Sequence, residues 1–227
     1  MNTADICTNF TRPSTELIAR AAQFQPAIFA DIQGRKGAMH GRIKALSPHL
    51  KLAGPAFTVD VRPGDNLMIH AALALAKPGD ILVIDGKADQ TAALMGAIMM
   101  NAAHQLKLGG VVIDGSIRDV IELAELGLPV FSIGSNPNGP TKNIGGRIGH
   151  TISCGGVSVA PGDFIIGDAD GVVVVEQNLL ASLIESAAHK VSAEANRITQ
   201  IKKGNTAAPW LLDSLIAAGV LKQGQTL

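Results

Sequence analysis

Short apolar runs alternate with segments of helical periodicity along most of the chain. We predict strands where β-branched residues follow a Gly or Pro turn, and helices where apolar residues recur every three or four positions. The predicted strands cover residues 53–61, 81–84, 111–113, 128–133, 151–153, 157–159, 164–167 and 172–175. The predicted helices cover residues 14–30, 66–76, 92–108, 120–126, 178–203 and 209–218. Such alternation of strands and helices is typical of an α/β fold.

The spacing of these elements also predicts the domain organisation. Residues 134–149 contain five Gly and two Pro and are predicted to form a long loop. A structureless loop of that length is usually functional or lies at an interface. A chain of 227 residues can bury a sizeable core as one domain. We therefore expect a single domain over residues 1–227, with its core at about residues 53–175 and helical flanks at about 14–30 and 178–222.

The composition limits the partners and the compartment of the protein. Hydrophobic residues make up 47% of the chain and charged residues 17%, so we expect much of the surface to be buried between subunits. The formal net charge is 0 and no basic stripe is present, which argues against a nucleic-acid partner. The apolar runs are too short to span a membrane, and the N-terminus lacks the pattern of a signal peptide. With only Cys7 and Cys154 as cysteines, the sequence indicates the reducing cytoplasm.

One predicted strand leads into an adjacent pair of opposite charges. The run Val111-Val112-Ile113 is predicted to be a buried strand, and Gly115-Ser116-Ile117-Arg118-Asp119 joins it to a short helix. In α/β proteins, ligands bind at the carboxyl ends of the strands. A neighbouring cation and anion at that edge can hold a negatively charged substrate together with a metal ion or a proton. The alternative is that Asp119 caps the helix and that Arg118 is solvated.

The same residues resemble a known signature. Gly115-Ser116-Ile117-Arg118-Asp119 is similar to the Gly-x-x-Arg-Asp motif of the 4-hydroxy-4-methyl-2-oxoglutarate aldolase family, which includes the regulator of ribonuclease activity A. Many members of that family were once labelled demethylmenaquinone methyltransferases. Further matching segments are residues 54–59, 78–86, 155–163 and 168–175, so the resemblance extends over more than half of the chain. Their order and spacing are specific to the family and not to one substrate within it.

The resemblance implies a fold, an assembly and a reaction. The expected fold is a swivelling β/β/α domain with flanking N- and C-terminal helices, and the expected partners are other copies of the chain, in a homotrimer or a hexamer. The implied reaction is that of a divalent-metal-dependent lyase that acts on pyruvyl-containing oxo acids. It would perform retro-aldol cleavage of substrates such as 4-hydroxy-4-methyl-2-oxoglutarate, or decarboxylation of oxaloacetate. Both routes pass through pyruvate enolate, so one site can serve both.

The resemblance also implies roles for individual residues. The backbone amides of Leu94, Met95 and Gly96 are expected to hold the pyruvyl carboxylate. Arg118 is expected to pair with the carboxylate or the keto oxygen and to stabilise the enolate as its charge develops. Asp119 is expected to bind Mg²⁺ or Mn²⁺, with water in the other coordination positions.

One position departs from the pattern of the family. The aldolases carry an acidic residue at the position that Ala97 occupies here. A second carboxylate near the metal would therefore have to come from elsewhere, and Glu194 from a neighbouring subunit is the candidate. The alternative is that Glu194 lies on a solvated face of the long C-terminal helix.

The other acids and histidines are expected to be structural. Asp168 and Asp170 flank a turn, where their side chains can bond the local backbone. His70, His104 and His150 each lack a second His at the spacing of a metal site.

Two alternatives to a lyase stay open. One is a non-catalytic regulator that binds a ribonuclease, although the regulatory branch of the family has lost the acid that is present here as Asp119. The other is a phosphotransfer or binding domain on the same fold. That function would need a phosphorylatable histidine on an exposed loop, and His150 is the candidate.

Overall fold

The computed structural model describes residues 5–227. Its internal contacts divide the chain into two units, of which the first ends at Ala187 and the second begins at Ala188. Residues 1–4 lie outside the described residues. They belong to the N-terminal segment in which the sequence predicts no signal peptide. None of the described helices has the length and the apolar character that a membrane span needs. The expectation of one domain over the whole chain stays a prediction.

The described residues form strands, α-helices and one 3₁₀ turn. The strands are β1 (Lys44–Ala45), β2 (Leu52–Asp60), β3 (Ile81–Met95), β4 (Gly110–Ile117), β5 (Val130–Ser132), β6 (Gly134–Ser135), β7 (Arg147–Ile148), β8 (Ile152–Cys154), β9 (Val157–Val159), β10 (Phe164–Asp168) and β11 (Gly171–Val175). The helices are α1 (Thr15–Ala21), α2 (Pro26–Ile32), α3 (Leu67–Leu75), α4 (Ala97–Gln105), α5 (Val120–Glu125), the 3₁₀ turn Gln177–Leu179, α6 (Leu180–Lys202) and α7 (Leu211–Ala217).

The main sheet has the strand order β1-β5-β4-β3-β2-β10-β11. Strands β2 to β5 are parallel to one another, whereas β1, β10 and β11 are antiparallel to their neighbours. The short strands β6 and β7 pair with β4 and β2, and β8 and β9 form a separate hairpin. This mixed sheet with helices confirms the predicted α/β class. Its parallel half brings the carboxyl ends of β3 and β4 to one edge, where ligands bind in such folds.

Alternate residues of the central strands pack on opposite faces of the sheet. In β3, Leu82 and Ile84 belong to an apolar cluster with residues of α3 and α4, while Ile81 and Val83 belong to a second cluster with residues of β8 and β9. A third cluster joins α1, α2 and the start of α6 to β10 and β11. Because both faces are buried, the central strands consist of continuous apolar runs.

The first predicted helix is in fact two helices. The prediction covered residues 14–30, but α1 ends at Ala21 and α2 begins at Pro26. Proline has no N–H to donate and its φ is already helical, so it is well suited to the first turn of a helix and poorly suited to the interior. The sequence therefore contained the signal for this break.

The predicted helix over residues 92–108 begins later than expected. Residues 92–95 continue strand β3, in which Ala93 pairs with Ser116 and Met95 pairs with Ile117 of β4. Helix α4 starts at Ala97, directly after this extension. The bend between strand and helix thus lies beside the end of β4.

Candidate functional site

A cavity of about 140 Å³ lies at the carboxyl ends of β3 and β4. Its wall brings together all five of the residues that the resemblance assigns to substrate and metal within one subunit: Leu94, Met95, Gly96, Arg118 and Asp119. It also contains seven residues to which the sequence assigned no role in the site: Asn66, His70, Ala93, Ile98, Met99, Pro140 and Lys142. The proposed roles of the five stay predictions, but their convergence in one cavity is a property of the fold.

The carboxylate of Asp119 is held toward this cavity by an unusual backbone conformation. Asp119 has φ 60° and ψ 36°, in the left-handed region that Asp tolerates better than most residues. It occupies the N-cap position of α5, yet its Oδ2 accepts a hydrogen bond of 2.8 Å from the N–H of Ala97 instead of capping α5. Asp119 therefore stands at the N-cap position, but its side chain does not cap α5 as the alternative expected. Left-handed non-glycine residues cluster at functional sites.

Arg118 is positioned by the strand that precedes it. Its N–H donates to the carbonyl of Met95 at 3.0 Å, which ties the end of β4 to the end of β3. Its Nε lies 3.7 Å from Oδ2 of Asp119, and the two side chains are 41% and 39% exposed. This contact is too long for a hydrogen bond. The guanidinium therefore keeps donors for a ligand.

The space beside Arg118 and Asp119 is too small for any side chain at position 96, which is a glycine. A Cβ at position 96 would lie 2.5 Å from Oδ2 of Asp119 and 2.9 Å from Cγ of Arg118. Any side chain there would displace both charged residues. Gly96 is also the N-cap residue of α4.

The start of α4 supplies hydrogen-bond donors at the same point. An α-helix leaves the N–H groups of its first turn without acceptors in the helix, and its N-terminus carries a partial positive charge. The N–H of Ala97 is bonded to Asp119. The following N–H groups, at Ile98 and Met99, belong to two residues that line the cavity. They add to the amides of Leu94, Met95 and Gly96 as candidate anion donors.

Asn66 is a buried polar residue in the cavity wall. Its Nδ2 donates to the carbonyl of Leu94 at 2.9 Å and contacts Sδ of Met99 at 3.1 Å. Its Oδ1 is buried and has no hydrogen-bond partner among residues 5–227. No signal in the sequence singles out Asn66, because an Asn before a helix is usually a cap.

The oxygen atoms in the cavity suit a hard divalent cation bound largely by water. Within residues 5–227, no three His, Cys, Asp or Glu side chains form a metal-binding group. The carboxylate of Asp119, which is 39% exposed, is an oxygen donor in the wall, whereas Oδ1 of Asn66 is buried. Mg²⁺ prefers oxygen ligands and retains several waters, so such a sparse site fits it. The N–H of Ala97 donates to Asp119, so an acid at position 97 would lie close to a cation bound by that carboxylate.

Several other predicted candidates are not among the residues that line this cavity. Glu194 belongs to the second unit, where its carboxylate is 3.3 Å from Nζ of Lys190 on α6, and its role in a neighbouring subunit's site stays a prediction. Asp168 accepts a hydrogen bond of 3.0 Å from the N–H of Asp170, which confirms the turn interpretation. Nε2 of His150 is buried, which disfavours a phosphorylatable histidine.

His70 was expected to be structural, but its side chain is exposed and lines the cavity. Lys142 comes from the long loop after β6 and is likewise exposed there. The one signal in the sequence for Lys142 was the length and glycine content of that loop, which indicated a functional segment.

Known proteins resemble this chain in sequence and in fold. The model of the family described as "RraA-like: Aldolase/RraA" matches residues 3–174. A protein of Halalkalibacterium halodurans named "Putative 4-hydroxy-4-methyl-2-oxoglutarate aldolase" is 38% identical over 174 residues, which cover 77% of this chain and 83% of that protein.

Two crystal structures show the same fold. Streptomyces coelicolor RraAS2, described as an unusual member of the RNase ES inhibitor RraA protein family, has a TM-score of 0.75 and 27% identity, over 83% of this chain and 98% of that one. A Geobacillus kaustophilus protein described as an S-adenosylmethionine:2-dimethylmenaquinone methyltransferase has a TM-score of 0.64 and 33% identity, over 69% of this chain and 98% of that one. Its description fits the older methyltransferase label. The chain therefore belongs to the RraA-like family and has the swivelling β/β/α fold predicted from its sequence.

Proposed function

We propose that the protein is a lyase that breaks a C–C bond next to a pyruvyl group and releases pyruvate. The observation that carries the proposal is the cavity in which Arg118, Asp119 and the first turn of α4 meet. The name of the H. halodurans relative supports the same reaction class. The description of RraAS2 supports the regulator alternative, and the retained Asp119 weighs against it.

The cavity can hold a 2-oxo acid in one orientation. The carboxylate of the substrate would accept hydrogen bonds from N–H groups near the bend between β3 and α4, where the helix dipole also favours a negative charge. The keto oxygen would then face the guanidinium of Arg118. That arrangement places a permanent cation where negative charge develops when the bond breaks.

Decarboxylation of oxaloacetate is the reaction that the present residues support best. The bond between C3 and C4 breaks, C4 leaves as CO₂, and its electron pair forms the enolate of pyruvate. Arg118 stabilises the enolate oxygen, and C3 then takes a proton from water to give pyruvate. Asp119 would hold a divalent cation, which would supply further positive charge to stabilise the enolate.

Retro-aldol cleavage also needs a catalytic base. A base must remove the proton of the C4 hydroxyl before the C3–C4 bond breaks, and Ala97 cannot act as that base. The proposed source is Glu194 of a neighbouring subunit.

A homotrimer or hexamer is part of this proposal. Ile98 on α4 is 84% exposed and Ile121 on α5 is 78% exposed, and Ile98 also lines the cavity. Large apolar side chains with that exposure favour burial against another subunit. Light scattering at micromolar concentration should report a multiple of the 23.4 kDa chain, and a monomer would contradict the assembly.

The central test measures pyruvate formation from oxaloacetate in the presence of Mg²⁺. Oxaloacetate also decays without enzyme, so the control contains Mg²⁺ and the Arg118→Gln variant at equal protein concentration. We expect release well above this control, and its loss in excess chelator. Release of pyruvate equal to the control would contradict the lyase activity. Release that persists in excess chelator would contradict only the role of the metal.

A further inference from the structure

The loop between β6 and β7 passes directly beside the guanidinium of Arg118. A Cβ at Gly139 would lie 3.0 Å from Nη1 of Arg118, so this guanidinium lies against the backbone of the loop. None of residues 5–227 accepts a hydrogen bond from the guanidinium, and its contact with Asp119 is 3.7 Å long. An arginine side chain has several rotatable bonds and loses much entropy when it is fixed. The backbone at Gly139 is therefore the surface that limits where Arg118 can point.

Asn136 joins this loop to the ends of β3 and β4. Its Nδ2 donates to the carbonyl of Gln90 at 2.7 Å, and its N–H donates to the carbonyl of Ile117 at 2.9 Å. Ile117 directly precedes Arg118 in the chain. The start of the loop is thus bound to the same strand end that carries the arginine.

Asn138 fixes the residue that comes just before Gly139. Its Nδ2 donates to the carbonyl of Thr91 at 3.1 Å, and its carbonyl accepts a hydrogen bond of 2.9 Å from the N–H of Ala93. Its N–H donates to Oδ1 of Asn136 at 2.8 Å. Three hydrogen bonds therefore hold Asn138 against the extension of β3.

A buried carboxylate fixes the loop on the other side of Gly139. Oδ2 of Asp65 accepts a hydrogen bond of 2.6 Å from the hydroxyl of Thr141 and one of 2.7 Å from the N–H of Asn143. Burial tends to raise the pKa of Asp65, but its hydrogen bonds outweigh burial and hold the pKa below the ordinary value. Asp65 therefore stays ionised at neutral pH, and Gly139 lies between two fixed points.

We propose that Asn138 is a positioning residue that holds the backbone of Gly139 against Arg118 and thereby sets the direction of the guanidinium. The inference rests on the proposed function, since it concerns the arginine of that same site. Asn138 is exposed and is not among the residues that line the cavity, so it acts on a ligand through Gly139 and Arg118. A cation that is already in place stabilises developing negative charge without the cost of reorganisation.

A double-mutant cycle tests whether Asn138 acts through Arg118. The ligand is oxalate, whose two adjacent carboxylates match the carboxylate and the enolate oxygen of pyruvate enolate, and which the proposed reaction does not cleave. Calorimetric titration at one fixed Mg²⁺ concentration gives dissociation constants for the wild type, Asn138→Ala, Arg118→Gln and the double variant. We expect Asn138→Ala to weaken oxalate binding about fivefold when Arg118 is present, and to have no effect when Arg118 is replaced by Gln.

The matched control is Asn143→Ala in the same loop. Asn143 is exposed, and its bond to Asp65 is made by the backbone N–H, which alanine retains. This variant should bind oxalate as the wild type does.

Gly139→Ala tests the contact itself and leaves both asparagines in place. The added Cβ would approach Nη1 of Arg118 to 3.0 Å and displace the guanidinium. We expect weaker oxalate binding that again depends on the presence of Arg118. Gly145→Ala is the control, because a Cβ at Gly145 has no neighbour within 4 Å among the described residues.

The remaining outcomes overturn the inference. Equal weakening by Asn138→Ala with and without Arg118 would show general damage to the cavity. Unchanged binding in Asn138→Ala or in Gly139→Ala would show that the loop does not set the direction of the guanidinium, and a wild type that does not bind oxalate would also overturn it. Because binding is measured without turnover, a protein that shows the coupling but releases no pyruvate from oxaloacetate would refute the lyase and retain the role of Asn138.

Discussion

Two Arg–Asp pairs involve the region of strand β4, one through an Asp within the strand and the other just beyond its end. The two pairs differ in their hydrogen bonds. Asp114 lies within β4, where its oxygens accept hydrogen bonds from Nε of Arg42 at 3.1 Å and from Nη2 at 2.8 Å. The N–H of Gly155 adds a third bond of 2.8 Å to this buried carboxylate. At Arg118 and Asp119, just beyond β4, one contact of 3.7 Å joins two half-exposed side chains.

The difference lies in how many hydrogen-bonding groups are left free. At Asp114 the bidentate pair is closed, and the hydrogen bond to Asp114 raises the pKa of Arg42 above its ordinary value. Such a pair ties β4 to the turn after β8 and to the segment before β1. It leaves few hydrogen-bonding groups free for a ligand. At Asp119, which lines the cavity, Oδ2 accepts a hydrogen bond from a backbone N–H and Oδ1 has no hydrogen bond from the described residues. The same residue types are therefore structural in one place and candidates for chemistry in the other.

The strongest test of this contrast is Asp119→Asn. Asparagine tolerates the left-handed backbone and can still accept the bond from Ala97, so the fold should be retained. The lost charge should reduce kcat/KM for oxaloacetate by about 10³-fold. Urea unfolding of the variant, followed alongside the kinetics, should give an unchanged midpoint. Activity close to that of the wild type would remove Asp119 from the mechanism.

Gly96→Ala should disturb the open pair without changing a charge. The added Cβ would meet Oδ2 of Asp119 at 2.5 Å and move the carboxylate. A displacement of this kind can lower kcat/KM by about 10²-fold. The matched control is Gly41→Ala, since a Cβ at Gly41 has no neighbour within 4 Å among the described residues. If both variants kept full activity, the close packing at position 96 would be irrelevant to catalysis.

Asp114→Asn should affect stability and spare chemistry. The amide cannot satisfy both nitrogens of Arg42 and the N–H of Gly155, so we expect a loss of about 2 kcal/mol in the free energy of unfolding. Asp168→Asn, at an exposed turn, should lower it by less than about 0.5 kcal/mol. Urea denaturation measures both changes, and kcat/KM per folded molecule should stay at the wild-type value. A specific loss of turnover in folded Asp114→Asn would mean that the closed pair also takes part in function.

The smallest expected effect concerns the missing acid. Because Ala97 lies beside Asp119, Ala97→Asp should strengthen Mg²⁺ binding and raise the cleavage rate about tenfold, as a carboxylate in the water shell of a cation can do. Kinetics at varied Mg²⁺ concentration measure both quantities.

Glu194→Gln separates the two possible sources of the second acid. If Glu194 already fills this role across an interface, its substitution should lower the rate and Ala97→Asp should add nothing. If neither variant changes metal affinity or rate, the second acid is neither of these residues.

The sequence predicted most of the strands because the central ones are buried on both faces. Continuous apolar runs such as 81–84 and 111–113 leave little alternative once turn residues bound them. The error at residues 92–95 has the opposite cause. Ala92, Ala93, Leu94 and Met95 all favour helix, and pairing with β4 overrides that local preference.

By itself, the sequence determined the α/β class, the position of the Arg118–Asp119 step at the end of a strand and the departure at Ala97. Only the tertiary structure decided which Arg–Asp pair is closed and which is open, and it alone brought Asn66, His70 and Lys142 into one wall. The reason is physical. Strand and turn signals arise from neighbouring residues. Whether the oxygens of a carboxylate remain free to accept hydrogen bonds depends on groups that are distant in the chain. No local pattern records that Gly155 bonds to Asp114, or that the loop around Lys142 is bound by Asp65.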